Sequence, residues 1–275
     1  MENSSMFDNI ANALTTLLDA VDRIVEQVSK VDYTKFIDLI DVIGEYASYL
    51  TAIDELHWPL YDVEDKQFRH KIIELHKSNA SYNQINDVVF SYMSDSYIES
   101  MKQRWLSITT IKPERYPILS QAIELHNLGY YYASTSLLMC QLYGVSADVV
   151  SVAKQNQLYL TKDDKEAVAE AFCFDAKYLN TERGQLMQML FISEMNTGAW
   201  YSFAKYIKEV ILDSSSDTSL WTSQPLRNKI CHGDQLNFGS KEHSLKAILT
   251  IDLLIKLSDE LRIYAQQKNE ENGDA

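Results

Sequence analysis

Eight glycines and four prolines are spread over 275 residues. That is about 4% of the chain, where average usage is roughly 12%. Tight turns draw on the positive φ of glycine and the fixed φ of proline, so a chain this poor in both has few of them. A β-sandwich, a collagen-like repeat and a long flexible linker are excluded. What remains is a fold of long elements, and the apolar spacing identifies them as helices. Ile10, Leu14, Leu17, Leu18, Val21, Ile24, Val25 and Val28 recur at helical period. They also fit a heptad frame, but one under three heptads long, so this helix is expected to pack on its own chain. Helical patterns continue over 31–56, 64–77 and 87–106, then 118–143 with Gly144 as its stop. Others cover 163–172, 183–212 and about 243–266. Loops are predicted at 57–59, 79–86 and 213–218. The chain reads as all-α, a helical bundle. Pro113 and Pro117 suggest a boundary near residue 110. That gives an N-terminal helical region at 1–110, a helical domain at 111–266 and a disordered tail at 267–275.

The formal charge is −14, from 39 acids and 25 bases. A nucleic-acid binder with a broadly basic surface is excluded; a local basic site is not. Apolar residues make up 46% of the chain, too many for wholesale disorder. No unbroken run of 18 apolar residues occurs, and the start MENSSMFDNI lacks the pattern of a signal peptide. Cys140, Cys173 and Cys231 have no CxxC spacing, which fits a reducing compartment. The expectation is a cytoplasmic protein with no membrane span. No HExxH, paired CxxC, glycine-rich phosphate loop or GxSxG occurs, so no cofactor and no metal is expected.

The sharpest local feature is Pro225-Leu226-Arg227-Asn228-Lys229-Ile230-Cys231-His232-Gly233. Pro225 suits the first turn of a short helix, with Thr222 or Ser223 as its cap. Gly233 suits the position just past its end. His232 then falls on the last turn, where the helix dipole favours a cation. Asn228 lies four residues before His232, on the same face, and could orient the imidazole. Arg227 lies five residues before it, about 140° away around an ideal helix. One chain need not bring Arg227 and His232 together; two copies could. Arginine plus histidine without metal ligands suits cleavage of RNA through its own 2′-hydroxyl. The histidine moves a proton, and the arginine stabilises charge on the phosphate. The bare spacing is loose, since Arg69 and His76 match it too. A solvated arginine and a capping histidine would look the same.

The extended stretch narrows the reading. RNKICHG, the polar loop DQLNFGSKEH and the helix SLKAILTIDLLIKL resemble bacterial HEPN-domain proteins, many of which carry Arg-Asn, three variable residues, then His. Upstream, SQAIELHNLGYYYASTSLLMCQLYGV is similar to the helix preceding the motif in one such group. The resemblance covers roughly 115–265. It implies an all-α HEPN bundle and a metal-independent endoribonuclease acting as a homodimer, of toxin, abortive-infection or phage-defence type. RNA would be the substrate, and an inhibitor or antitoxin protein a possible partner. Arg227 and His232 would be catalytic and Asn228 supporting. An acidic residue often precedes the glycine equivalent to Gly144, but this chain has Tyr143. Gln141 and His126 are the auxiliary candidates.

The other candidates weigh toward plainer roles. His126 reads as a core or helix-interface residue. Tyr130, Tyr131 and Tyr132 could stack on bases, though three in a row cannot all face outward. Cys231 reads as a packing residue, and Asp163, Asp164 and Glu166 as a charged first turn. Lys229, Lys241 and Lys246, with Arg227, could form a local positive patch; Lys229 and Lys241 would touch RNA. The alternatives are a non-catalytic HEPN module that binds RNA, a nucleotide or a protein, and a helical adaptor recruiting a partner through residues 1–30.

Overall fold

A long helix near the C-terminus is buried on all sides from residue 243 to 255, and several other helices pack against it. The computed structural model describes residues 33–171, 175–192, 197–212 and 218–273. Among them every regular element is helical and no strand forms. The helices are α1 (Tyr33–Leu56), α2 (Lys66–Lys77), α3 (Tyr82–Tyr92), α4 (Asp95–Ser107), α5 (Tyr116–Asn127), α6 (Tyr131–Gln155), α7 (Lys162–Ala171), α8 (Glu182–Ile192), α9 (Thr197–Tyr206), α10 (Arg227–His232) and α11 (Lys241–Gly273). A π-helical turn, Ile207–Ile211, follows α9. The helix expected over residues 10–28, the adaptor segment 1–30, Cys173 and most of the loop at 213–218 lie outside the described residues.

Contacts divide the chain into two units, residues 1–48 and 49–275. The described part of the first is the opening stretch of α1. The expected boundary near residue 110 falls inside the second unit. Side chains from before it are anchored on α11: Trp105 Nε1 donates to Asp252 Oδ1 at 2.6 Å, and Arg104 Nη2 does so at 2.7 Å. Thr110 Oγ1 lies 2.6 Å from Ser258 Oγ.

Along α11, Leu245, Ile248, Ile251, Leu254 and Leu257 are buried, and so are Lys246, Thr250, Asp252 and Ser258. A helix apolar on most sides is what a central position requires. Its principal neighbour is α6, with α4, α5 and α8 also in contact. α11 runs on to Gly273, past the expected end at Gln266 and through most of the segment expected to be a disordered tail.

Several boundaries differ from the sequence reading, each for a local reason. The expected helix 118–143 is two helices. It breaks at Gly129, whose φ of +80° is left-handed, with Tyr130 N–H donating to Leu125 O at 2.8 Å. That is the glycine-ended closure of a helix. α6 then passes through Gly144, the expected stop. A Cβ there would lie 2.1 Å from Arg115 Nη1, so this glycine makes room for a guanidinium. The expected loop 79–86 contains the start of α3, where Ser81 and Gln84 form a capping box. The expected helix 87–106 is interrupted before Ser94, which caps α4.

α6 is also the described helix long and apolar enough to cross a membrane. Serine, threonine and glutamine interrupt its apolar residues, so it contains no long unbroken apolar run. Of its most apolar window, 56% is buried inside the protein.

Candidate functional site

The motif helix α10 is six residues long, too short to be stable alone. It is held at both ends by its surroundings. Neither Thr222 nor Ser223 caps it, because both lie in the preceding turn and Leu226 occupies the N-cap position without a side-chain bond. The work passes to Gln235, which is fully buried. Its Oε1 accepts from Leu226 N–H at 3.1 Å, and its Nε2 donates to the carbonyls of Trp221 and Gln224, each at 2.8 Å. At the far end Gly233 takes φ +82°, as expected for a left-handed cap, and Asp234 N–H donates to Lys229 O at 2.8 Å. α10 packs on α6.

Arg227 is half-buried and lines a cleft of about 640 Å³. Its Nη1 donates to Asn228 Oδ1 at 3.1 Å, and its buried Nε has no hydrogen-bond partner. Asn228 is buried, lines the same cleft, and donates from Nδ2 to Leu212 O at 3.1 Å. Asn228 therefore positions Arg227 and ties α10 to the end of the π-helical turn. It makes no hydrogen bond to His232, so the expected orienting role toward the imidazole is not seen. His232 is exposed on the last turn, its imidazole makes no hydrogen bond among the described residues, and it does not line the cleft. Within one chain Arg227 and His232 thus serve different surfaces, as their spacing predicts.

One face of α6 also lines the cleft, with Leu142, Tyr143, Ser146, Val150 and Lys154, and so do Gln185 and Leu186 of α8. Residues 143, 147, 150 and 154 follow helical spacing, and that was the available sequence signal for this face. It was missed because α6 was expected to end at Gly144. The cleft combines apolar walls with the cations Arg227 and Lys154, a lining suited to a ligand with an apolar body and an anionic group.

The expected positive patch does not include Lys246. Lys246 is completely buried. Its Nζ donates to Glu242 Oε1 at 2.8 Å, Tyr82 Oη at 2.9 Å and Ser223 O at 2.9 Å, and sits 4.6 Å from the Trp58 ring centre. Burial lowers its pKa to about 8, against the raising effect of Glu242. Lys229 is drawn toward Asp234, at 3.9 Å, and lies 6.0 Å from the Trp221 ring centre. Lys241 stands 5.1 Å over the Phe90 ring.

The two auxiliary candidates have other partners. Gln141 Oε1 accepts from Arg115 Nη1 at 3.0 Å, while Arg115 Nε donates to buried Asp148 at 2.6 Å. This is the guanidinium that Gly144 accommodates. His126 is buried, with Nδ1 2.7 Å from Ser244 Oγ and its ring edge-on to Tyr131. Burial, with a smaller effect from Lys241, lowers its pKa to about 4. Neither residue lines the Arg227 cleft. Tyr130 and Tyr132 are exposed, and Tyr131 is half-buried. Asp164 is bonded to both the backbone and the hydroxyl of Thr161, at 3.1 and 2.6 Å. At the second match to the loose spacing, Arg69 bonds to the carbonyls of Val63 and Glu64, and His76 pairs with Glu55 at 2.7 Å.

Comparison with protein-family models, with curated proteins and with solved structures gives no match to this chain.

Proposed function

We propose that this protein is a metal-independent endoribonuclease of the HEPN type, acting as a cytoplasmic homodimer in phage defence or as a toxin. The observation that carries the reading is the presentation of the motif. A six-residue helix leaves the imidazole of His232 exposed and lets Arg227, with an unpartnered Nε, open on a cleft. In this mechanism His232 accepts the proton of a 2′-hydroxyl as its oxygen attacks the adjacent phosphorus. The bond from phosphorus to the 5′-oxygen breaks, and that oxygen is protonated as it leaves. Arg227 stabilises the added charge on the phosphate. The products are a 2′,3′-cyclic phosphate and a 5′-hydroxyl. Because Arg227 and His232 serve different surfaces of one chain, the reading requires the His232 of one copy to complete the site of another.

A second reading is a non-catalytic HEPN module. It is favoured by the fact that the cleft, of a size that holds small molecules, takes in Arg227 and Asn228 without His232. The experiment incubates a mixed RNA pool in EDTA with wild type, Arg227→Ala and His232→Ala, each checked for helicity and oligomeric state. Cleavage by wild type that both variants lose supports the nuclease. A wild type that leaves RNA intact but binds a nucleotide through Arg227 supports the module.

A further inference from the structure

Cys140 on α6 and Cys231 on α10 are 91 positions apart, yet their sulfurs lie 3.8 Å from each other. Both residues are exposed free thiols, and the whole chain has three cysteines. Among the described residues, no set of three His, Cys, Asp or Glu side chains is grouped to hold a metal ion, so nothing recruits this pair as metal ligands. A disulfide needs about 2.0 Å between sulfurs, so closing the gap takes a movement of roughly 2 Å or less. Rotation about the two Cα–Cβ bonds moves sulfur on that scale. The approach joins two helices that are already packed together, and one sulfur belongs to the residue immediately before His232.

We propose that Cys140 and Cys231 form a reversible modification site, oxidised to an intramolecular disulfide by low-molecular-weight disulfides of the glutathione class. The Cys140 thiolate attacks one sulfur of the oxidant, forming a mixed disulfide and releasing one thiolate. The Cys231 thiolate then attacks the Cys140 sulfur, forming the Cys140–Cys231 bond and expelling the second thiolate. In sum, two protein thiols lose two protons and two electrons, and one disulfide becomes two small thiols. The new bond pins α10, and with it Arg227 and His232, to α6. Burial and the neighbouring Cys140 push the Cys231 thiol up, which slows the second step at neutral pH; raising the pH speeds it by enlarging the thiolate fraction.

The test is peptide mapping of the full chain by mass spectrometry without reduction, after incubation with oxidised glutathione. Wild type, Cys140→Ser, Cys231→Ser and Cys173→Ser are compared, with a non-reducing gel alongside. The expected result is a Cys140–Cys231 cross-linked peptide on a chain of monomer mass, reversed by dithiothreitol. It should persist in Cys173→Ser. In the other two variants it is lost, and glutathione stays on the surviving cysteine. Stable glutathione adducts on both cysteines of wild type would overturn the proposal. So would a disulfide between chains, or one using Cys173.

Discussion

Replacing Lys246 by methionine tests whether the buried cation is a structural keystone. The substitution keeps an unbranched side chain of similar bulk beside Trp58 but removes the charge. It strips one donor each from Glu242 and the Ser223 carbonyl, and it leaves Tyr82 without the ammonium beside its oxygen. Breaking a buried ion pair by removing one partner costs about 3–5 kcal/mol. Here Glu242 keeps two donors, Tyr82 Oη at 2.5 Å and Asn86 Nδ2 at 3.0 Å, and its side chain retains 13% exposure. The cost therefore falls at the lower end, about 3 kcal/mol, or roughly 10 °C in Tm for a chain of this size. Glu242→Gln in the Lys246→Met background removes the stranded charge, and its amide can accept from Asn86 Nδ2 through Oε1 while its Nε2 donates to Tyr82 Oη. It should recover about 2 kcal/mol of the loss. Urea denaturation of the four proteins measures both numbers. A single variant within about 1 kcal/mol of wild type, or a double variant no more stable than the single, would refute the reasoning.

Three other consequences are accessible to the same methods. His126 has its pKa lowered from 6.5 to about 4, so the unfolded chain binds a proton that the folded chain refuses. The contribution of His126 is complete above pH 6.5 and is lost toward pH 4, about 3 kcal/mol at the rate of 1.36 kcal/mol per unit; His126→Gln should remove that share of the fall measured by denaturation, leaving the part due to His57 and His243, which burial also lowers. Gly233→Ala forces a side chain into φ +82° and should cost about 1–2 kcal/mol, with Gly233→Asn milder, read as a Tm shift. Gly184→Ala places a Cβ 1.9 Å from the Tyr178 carbonyl oxygen, a backbone atom that cannot step aside, and should lower stability by about 1–3 kcal/mol in urea.

What could be seen in the sequence follows from the range of the forces involved. The all-helical character was legible because breaker scarcity and apolar period are local properties. The left-handed cap at Gly233 was legible for the same reason. Glycine has two uses, however, and sequence alone does not separate them. Gly129 ends a helix, while Gly144 sits inside one to admit Arg115. Reading Gly144 as the stop hid the α6 face that lines the cleft. Long-range partners were equally hidden. Lys246 stands near the motif in sequence and reads as a surface cation, but Trp58 and Tyr82 enclose it from far along the chain. Gln235 looked like part of a polar loop, though its amide takes over from Thr222 and Ser223 in holding the start of α10. The separation of Arg227 from His232 by surface was legible in their spacing, whereas the cleft that takes in Arg227 and Asn228 needed the fold.

The chemistry of the RNA ends tests the central claim most directly. Wild type and His232→Ala would be incubated with one defined RNA in EDTA, and the product termini identified by mass spectrometry. The account predicts 2′,3′-cyclic phosphate and 5′-hydroxyl ends from wild type and no products from His232→Ala. Products ending in 3′-hydroxyl and 5′-phosphate would contradict it, as would equal cleavage by His232→Ala.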